Sequence, residues 1–306
     1  MAINKAMRIA LKALSYTDLD LKKTYKLQRQ VVNAMHPYFK SLYEIWDHKI
    51  AGADHDIPVR LFVPPIDTKV QKILLFYHGG GFVTGNIDSY TNVCANMAKQ
   101  TGHIVLSVDY RLAPEYHFPA APEDCYTVAR EVFLNAEMFG ANKEDITLIG
   151  DSAGGNLAAV VSLMAKDRGE FLPGKQILIY PLTISNHTET SPFASVHENG
   201  TDYLLTSKRL CDYIDLYISS KEDRYHPYLA PLLSKDLSGQ PKTLIITAEF
   251  DPLRDEGEAY GRKLVQFGGE ASVFRMKDAL HGFFALPKHF VHVVRSYELI
   301  NKFLAI

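Results

Sequence analysis

A seryl hydroxyl becomes a useful nucleophile only when a base takes its proton. Ser152 stands where such chemistry is often staged, in Gly150-Asp-Ser-Ala-Gly154, a G-x-S-x-G turn between the apolar run Ile146 to Ile149 and an apolar segment from Asn156 to Ala165. The run before it is short and β-branched, which suits a buried strand. The segment after it is apolar on nearly every side, which suits a helix packed on a sheet. Gly150 and Gly154 lack a Cβ, so the chain can turn sharply there and hold the seryl Oγ out at the carboxyl edge of the sheet. Small turns of this form also arise by chance, so the context has to decide.

The sequence offers 12 histidines as the base. His281, in Ala279-Leu-His-Gly-Phe-Phe284, follows the strand-like run Ala271 to Met276 by a few residues, which puts it on the same carboxyl edge as Ser152. His78 belongs to a glycine loop, His36, His48, His55, His187 and His197 lie in N-terminal or inserted segments, and His289 and His292 lie on a terminal helix. A satisfied or solvated histidine explains each of those. The carboxylate that orients the base is expected at another strand end, and Asp251 sits where Thr243 to Thr247 stops. Glu249 is still attached to that strand. Asp255 and Glu256 fall in a first helical turn, where a dipole or salt-bridge role accounts for them. A further glycine run, His78-Gly-Gly-Gly-Phe82, follows the apolar run Ile73 to Tyr77. Successive glycines let backbone N–H groups point into one concavity and stabilise an oxyanion. A phosphate cradle is the weaker reading, because no Lys-Ser/Thr follows and Phe82 and Val83 are apolar.

Elements that position these residues can be traced along the chain. Met7, Ala10, Leu11 and Leu14 predict one helix and Leu21, Tyr25, Val32 and Met35 a second; the segment from His36-Pro37 to Trp46 reads as surface-lying and outside any sheet. Strands are expected from about Lys49 and over Val59 to Val63, Ile73 to Tyr77, His103 to Val108, Ile146 to Ile149, Gln176 to Tyr180, Thr243 to Thr247 and Ala271 to Met276. Helices are expected over Asp88 to Thr101, from Pro119 to about Phe139, over Asp255 to Gln266 and around Phe290 to Ile300. Such alternation predicts a mostly parallel sheet flanked by helices. Thr183 to Arg224 breaks it with an amphipathic helix over Ser207 to Ser219, and reads as a helical cap inserted at about 183–224. One catalytic domain over 49–306, preceded by N-terminal helices over 1–48 that contribute to the cap, is the expected organisation. The chain order Ser152, Asp251, His281 is that of α/β-hydrolases.

Five motifs occur together: His78-Gly-Gly-Gly-Phe82, Tyr110-Arg-Leu-Ala-Pro-Glu115, Gly150-Asp-Ser-Ala-Gly-Gly155, Asp251-Pro-Leu-Arg-Asp-Glu-Gly257 and His281-Gly-Phe283. In identity and order they closely resemble those of the hormone-sensitive-lipase-like α/β-hydrolases, the bacterial family IV esterases, over roughly residues 50 to 306. The resemblance implies that Gly80, Gly81 and Ala153 supply the oxyanion-hole N–H groups, that Asp255 and Glu256 support the acid loop without acting in the triad, and that no cofactor is needed. It implies a serine carboxylesterase acting through an acyl-enzyme. Related families often form homodimers.

Composition limits the alternatives. Hydrophobic residues are 47% of the chain, charged residues 22%, and the formal net charge is -2, so there is no electrostatic footprint for nucleic acid or an anionic membrane. Cys94, Cys125 and Cys211 are widely spaced without a CxxC pair, which argues for buried free thiols over a disulfide framework or a zinc site; no metal site is expected. Lys5, Arg8 and Lys12 interrupt the first residues, no stretch reads as a membrane span, and a cytoplasmic location follows as the expectation. Phe82, Val83, Tyr203, Leu204, Leu205, Phe283 and Phe284 are candidates to line the substrate pocket, although packing explains each singly. A soluble ester with a short acyl or aryl group is expected as substrate. An amide hydrolase would use the same triad, and a non-catalytic receptor is disfavoured because Ser152, Asp251 and His281 are all kept.

Overall fold

Every side chain of Ile73–Tyr77 and Ile104–Val108 is buried, so both runs must be covered on two faces. A computed structural model, which describes residues 12, 20–35, 45–64 and 71–305, shows how. Its described strands are β1 (Ile45–Ala51), β2 (Asp56–Phe62), β3 (Ile73–Tyr77), β4 (Ile104–Val108), β5 (Ile146–Asp151), β6 (Lys175–Ile179), β7 (Lys242–Phe250) and β8 (Ala271–Leu280). They form one sheet in the order β1-β2-β4-β3-β5-β6-β7-β8. β2 is antiparallel to β1 and β4, and every other pairing is parallel. This is the mostly parallel sheet that the alternation predicts.

The described helices are α1 (Leu21–Met35), α2 (Thr91–Thr101), α3 (Ala120–Leu134), α4 (Ala153–Arg168), α5 (Ala194–Asn199), α6 (Ser207–Tyr217), α7 (Arg254–Gln266) and α8 (Val291–Leu304). Successive residues of β3 feed two cores, as a period of two requires. Leu75 and Tyr77 pack in the core built with α3, α4 and α7, whereas Leu74 and Phe76 pack in the core of α2 and α8. Helix α4 is buried on every side from Ala153 to Ala165, which accounts for its lack of a polar face.

Several elements differ from expectation. The helix expected from Asp88 starts at Thr91, after turns in which Ser89 and Asn86 bond one another. The helix expected to reach Phe139 ends at Leu134; Asn135 leaves helical geometry and a 3-10 turn covers Ala136–Phe139. Trp46 lies in the sheet, in β1, opposite Leu61, so the strand begins ahead of the boundary placed at residue 48. The helix expected over Met7 to Leu14 falls almost wholly outside the described residues. Cys94 and Cys125 are buried free thiols, whereas Cys211 is half-buried. No described helix is long and apolar enough to cross a membrane.

The chain leaves the sheet after β6 and returns at β7, a longer excursion than 183–224. Leu232 N–H bonds the Thr183 carbonyl at 3.1 Å and fastens its return to its start. Helix α6 of this excursion meets α1 through the Lys22 to Asp215 ion pair at 2.6 Å. From α1, Arg29 donates from Nε to the Val83 carbonyl and from Nη2 to the Ala113 carbonyl, each at 2.9 Å, and pairs with Glu115 at 3.0 Å. The N-terminal helix is thereby tied to the glycine loop that follows β3.

Candidate active site

Four strands end at one place. β3 delivers the loop His78 to Gly81, β5 delivers Ser152, β7 delivers Asp251 and β8 delivers His281. Ser152 has φ 57 and ψ -118, an uncommon conformation for a residue with a side chain, and it is held by its own N–H on the Ile179 carbonyl at 2.8 Å. Such an elbow needs strand and helix to cross closely. A Cβ on Gly154 would lie 1.9 Å from the Tyr77 carbonyl oxygen, and one on Gly150 2.2 Å from the Gly154 carbonyl oxygen, so neither position admits a side chain.

The structure brings the three expected residues together. His281 Nε2 is 2.9 Å from Ser152 Oγ, and His281 Nδ1 is 2.7 Å from Asp251 Oδ2. A carboxylate against Nδ1 keeps the proton on that nitrogen, which leaves Nε2 free to accept from the serine. Asp251 is fully buried; its other oxygen accepts the Leu253 N–H at 2.9 Å, so each carboxylate oxygen has a partner. Asn199 of α5 donates to the Asp251 carbonyl at 3.3 Å. Gly80, Gly81 and Ala153 border the same cavity as Ser152 and His281, and their N–H groups have no acceptor among the described residues.

Asp151, beside Ser152, was not among the expected site residues. It is buried, accepts from Gly79 N–H at 2.9 Å and from the Tyr90 hydroxyl at 3.1 Å, and meets the Tyr180 hydroxyl at 3.3 Å. The Tyr180 ring in turn lies 4.6 Å from the His281 ring. One carboxylate thus joins the glycine loop, the elbow and the histidine loop. Burial pushes its carboxyl from the ordinary 3.8 up to about 6, against the pull of those donors. With the folded value raised, its stabilising contribution is complete below 3.8 and is lost as pH rises through about 6. At about 1.4 kcal/mol per tenfold change in proton affinity, the ionised form costs on the order of 3 kcal/mol. Asp151→Asn should therefore gain stability relative to the native protein as pH rises from about 4 to about 6, and the difference should level off above that. Thermal unfolding of both proteins across that range checks it, and a difference independent of pH would contradict it.

Glu256 and Asp255 anchor the excursion. Glu256 is fully buried and accepts from Thr183 N–H at 2.6 Å, from Ile184 N–H at 3.1 Å and meets His187 Nε2 at 2.7 Å, while Asp255 accepts from Ser195 N–H at 2.8 Å. Their direct bonds go to the inserted segment, more than to the loop of Asp251 that the resemblance implies. Among the described residues, no group of three or more His, Cys, Asp or Glu side chains is placed to hold a metal ion.

The cavity over Ser152 has a volume of about 250 Å³. Of the expected lining, Phe82, Leu204 and Leu205 are present. Val83, Tyr203 and Phe283 are not, and each has a reason. Val83 is buried with its carbonyl taken by Arg29, Tyr203 stacks on Phe250 at 4.8 Å, and Phe283 packs edge-on to Tyr180 at 5.1 Å. Phe284 packs against Tyr297. Leu182, Arg209, Leu210, Tyr213 and Ile214 complete the wall instead. The last four lie on α6, whose amphipathic face is the signal that could have pointed to them. Tyr213 seats on Gly81, where an added Cβ would come 2.5 Å from the ring, and Tyr217 stacks on Phe82 at 4.0 Å.

A family model described as the alpha/beta hydrolase fold matches residues 74–285. The chain belongs to the α/β-hydrolase family. Its motifs place it in the hormone-sensitive-lipase-like branch, as their resemblance implied. This α/β-hydrolase is 35% identical over 246 residues to an arylesterase of Saccharolobus solfataricus, the match covering 80% of this chain and 78% of that protein. It is 36% identical over 232 residues to an ethyl acetate hydrolase of Pseudomonas putida, covering 75% and 72%. The solved structure of a hyperthermophilic esterase from the archaeon Pyrobaculum calidifontis matches it with a TM-score of 0.85 at 35% identity, over 99% of this chain and 98% of that one.

Proposed function

We propose that this chain is a serine carboxylesterase that hydrolyses esters of short acyl or aryl groups through an acyl-enzyme. The class rests on the family and on its ester-hydrolysing relatives: the chain is a carboxylic ester hydrolase. The observation that carries the mechanism is the continuous line from Ser152 Oγ through His281 to Asp251, at 2.9 and 2.7 Å, beside N–H groups with no acceptor among the described residues. Ser152 Oγ adds to the ester carbonyl while His281 Nε2 takes its proton, and the oxyanion rests on the N–H groups of Gly80, Gly81 and Ala153. Collapse of this intermediate expels the alcohol, which His281 protonates. Water then repeats the steps on the acyl-enzyme and releases the acid. Asp251 orients His281 and stabilises the imidazolium.

Helix α1 and the excursion after β6 form the cap, and they leave little room. An apolar cavity of about 150 Å³ is enough to hold benzene, so about 250 Å³ suits an ester of phenyl acetate size. Across p-nitrophenyl acetate, butyrate, octanoate and palmitate, kcat/KM should be highest on the two short esters and fall by at least about tenfold to palmitate. That is the fall expected if some 1.4 kcal/mol or more of transition-state binding is lost. A palmitate optimum would overturn the short-acyl reading.

A further inference from the structure

Among the described residues, Arg209 is a cation at the cavity over Ser152 that no ion pair neutralises. Arg209 is half-buried and lines the same space as Ser152 and His281, yet among the described residues its side chain makes no hydrogen bond or ion pair; its backbone N–H bonds Thr206 Oγ1. Its surroundings treat other cations differently. Lys208, next to it, meets Asp212 at 2.9 Å, and Arg254, beneath the excursion, pairs with Glu198 and Asp255. The first turn of α6 has no acidic residue, so the helix dipole also disfavours a positive charge there. Asp151, the carboxylate at the cavity floor, is committed to Gly79, Tyr90 and Tyr180.

The register of α6 fixes where this charge stands. Arg209 and Tyr213 are four residues apart and share a face of the helix, and Tyr213 is the residue seated on Gly81. Arg209 therefore lies one turn, roughly 5 Å along the axis, from the contact with the oxyanion glycines. Leu205, Leu210 and Ile214, which line the same cavity, offer an anion no side-chain donor.

We propose that Arg209 is a specificity residue that selects esters carrying a free carboxylate a few bonds from the scissile carbonyl, bound by the planar guanidinium through paired N–H···O bonds. This rests on the ester-hydrolase reading. A carboxylate held by a guanidinium is strong and directional, and a neutral amide of the same shape cannot replace it.

The test uses two pairs in a pH-stat: monoethyl succinate against ethyl succinamate, and acetoxyacetate against acetoxyacetamide, so that the charge lies on the acyl side in one pair and on the alcohol side in the other. The native enzyme should favour the anion over its amide in at least one pair. Arg209→Leu, which removes no side-chain hydrogen bond seen within the described residues, should lower that anion-to-amide ratio of kcat/KM about 10- to 100-fold, mainly through KM. Arg209→Lys, which keeps the charge without the fork, should fall between. Free succinate should inhibit the native enzyme competitively and Arg209→Leu at least tenfold more weakly. Hydrolysis of the amides with no preference for either anion, or a preference that survives in Arg209→Leu, would overturn the assignment while leaving the esterase intact. Failure of the folded native enzyme to hydrolyse any ester would overturn both.

Discussion

Ser152→Ala should lower kcat for p-nitrophenyl acetate by about 10⁴- to 10⁶-fold while leaving the fold in place, because removing a triad nucleophile elsewhere costs up to about that much. The hydroxyl has a single hydrogen-bond partner among the described residues, His281 Nε2, so its removal leaves no buried group without a bond except a histidine nitrogen that faces the cavity. The elbow itself is made by the backbone, through Ser152 N–H on Ile179 and the close approach of Gly154 to Tyr77, and alanine can occupy the same φ as serine. Unfolding temperature should therefore change by no more than a few degrees. Residual activity is expected, since oxyanion donors and substrate positioning act without the nucleophile. An organophosphate should label the native enzyme stoichiometrically and the variant not at all. Turnover within tenfold of native in a folded Ser152→Ala, or labelling that persists in it, would require another nucleophile.

The parts of the site legible in the sequence are those whose signals are local. Ser152, Asp251 and His281 each follow an apolar run, and the ends of parallel strands meet at one edge whatever lies between them. The oxyanion candidates are marked by glycines for the same reason. The cavity wall was less legible, and Tyr203 to Leu205 show why. Leu204 takes φ 68, and beyond it Leu205 reaches the cavity while Tyr203 turns back onto Phe250, more than forty residues away in sequence. Val83 and Phe283 fail similarly: each adjoins a loop of the candidate site but is claimed by a partner, Arg29 or Tyr180, that no local pattern names. Arg209 and Tyr213 are visible only as part of an amphipathic helix, because what selects their face is the seating of Tyr213 on Gly81. Asp151 hid inside the nucleophile motif; its neighbours Tyr90 and Tyr180 come from other elements. Trp46 was misread because β1 is exposed along most of its length, with no alternating burial to mark a strand, and gains its place by pairing with β2.

Gly81→Ala should lower kcat about 10²- to 10³-fold with a smaller change in KM, which is the loss expected when an oxyanion donor is displaced. Two constraints meet at this residue. Its φ is +62, where an added Cβ costs about 1 to 2 kcal/mol, and that Cβ would lie 2.5 to 2.7 Å from three atoms of the Tyr213 ring. The clash dominates, because real carbon contacts of that length do not occur and the ring is held from behind by the rest of α6, with Tyr217 stacked on Phe82. Something must move. On its other side the loop is fastened by Gly79 N–H on Asp151, by Val83 and Thr84 N–H on the Gly80 carbonyl, and by Arg29 on Val83. Displacement is therefore shared between the glycine N–H groups and the cap helix. If the contact with Tyr213 is the cause, Tyr213→Ala in the Gly81→Ala background should recover at least about tenfold of the lost kcat, a coupling of roughly 1.4 kcal/mol, within the range for touching residues. No recovery would assign the loss to backbone conformation alone, and full native kcat in Gly81→Ala would remove Gly81 N–H from the oxyanion hole.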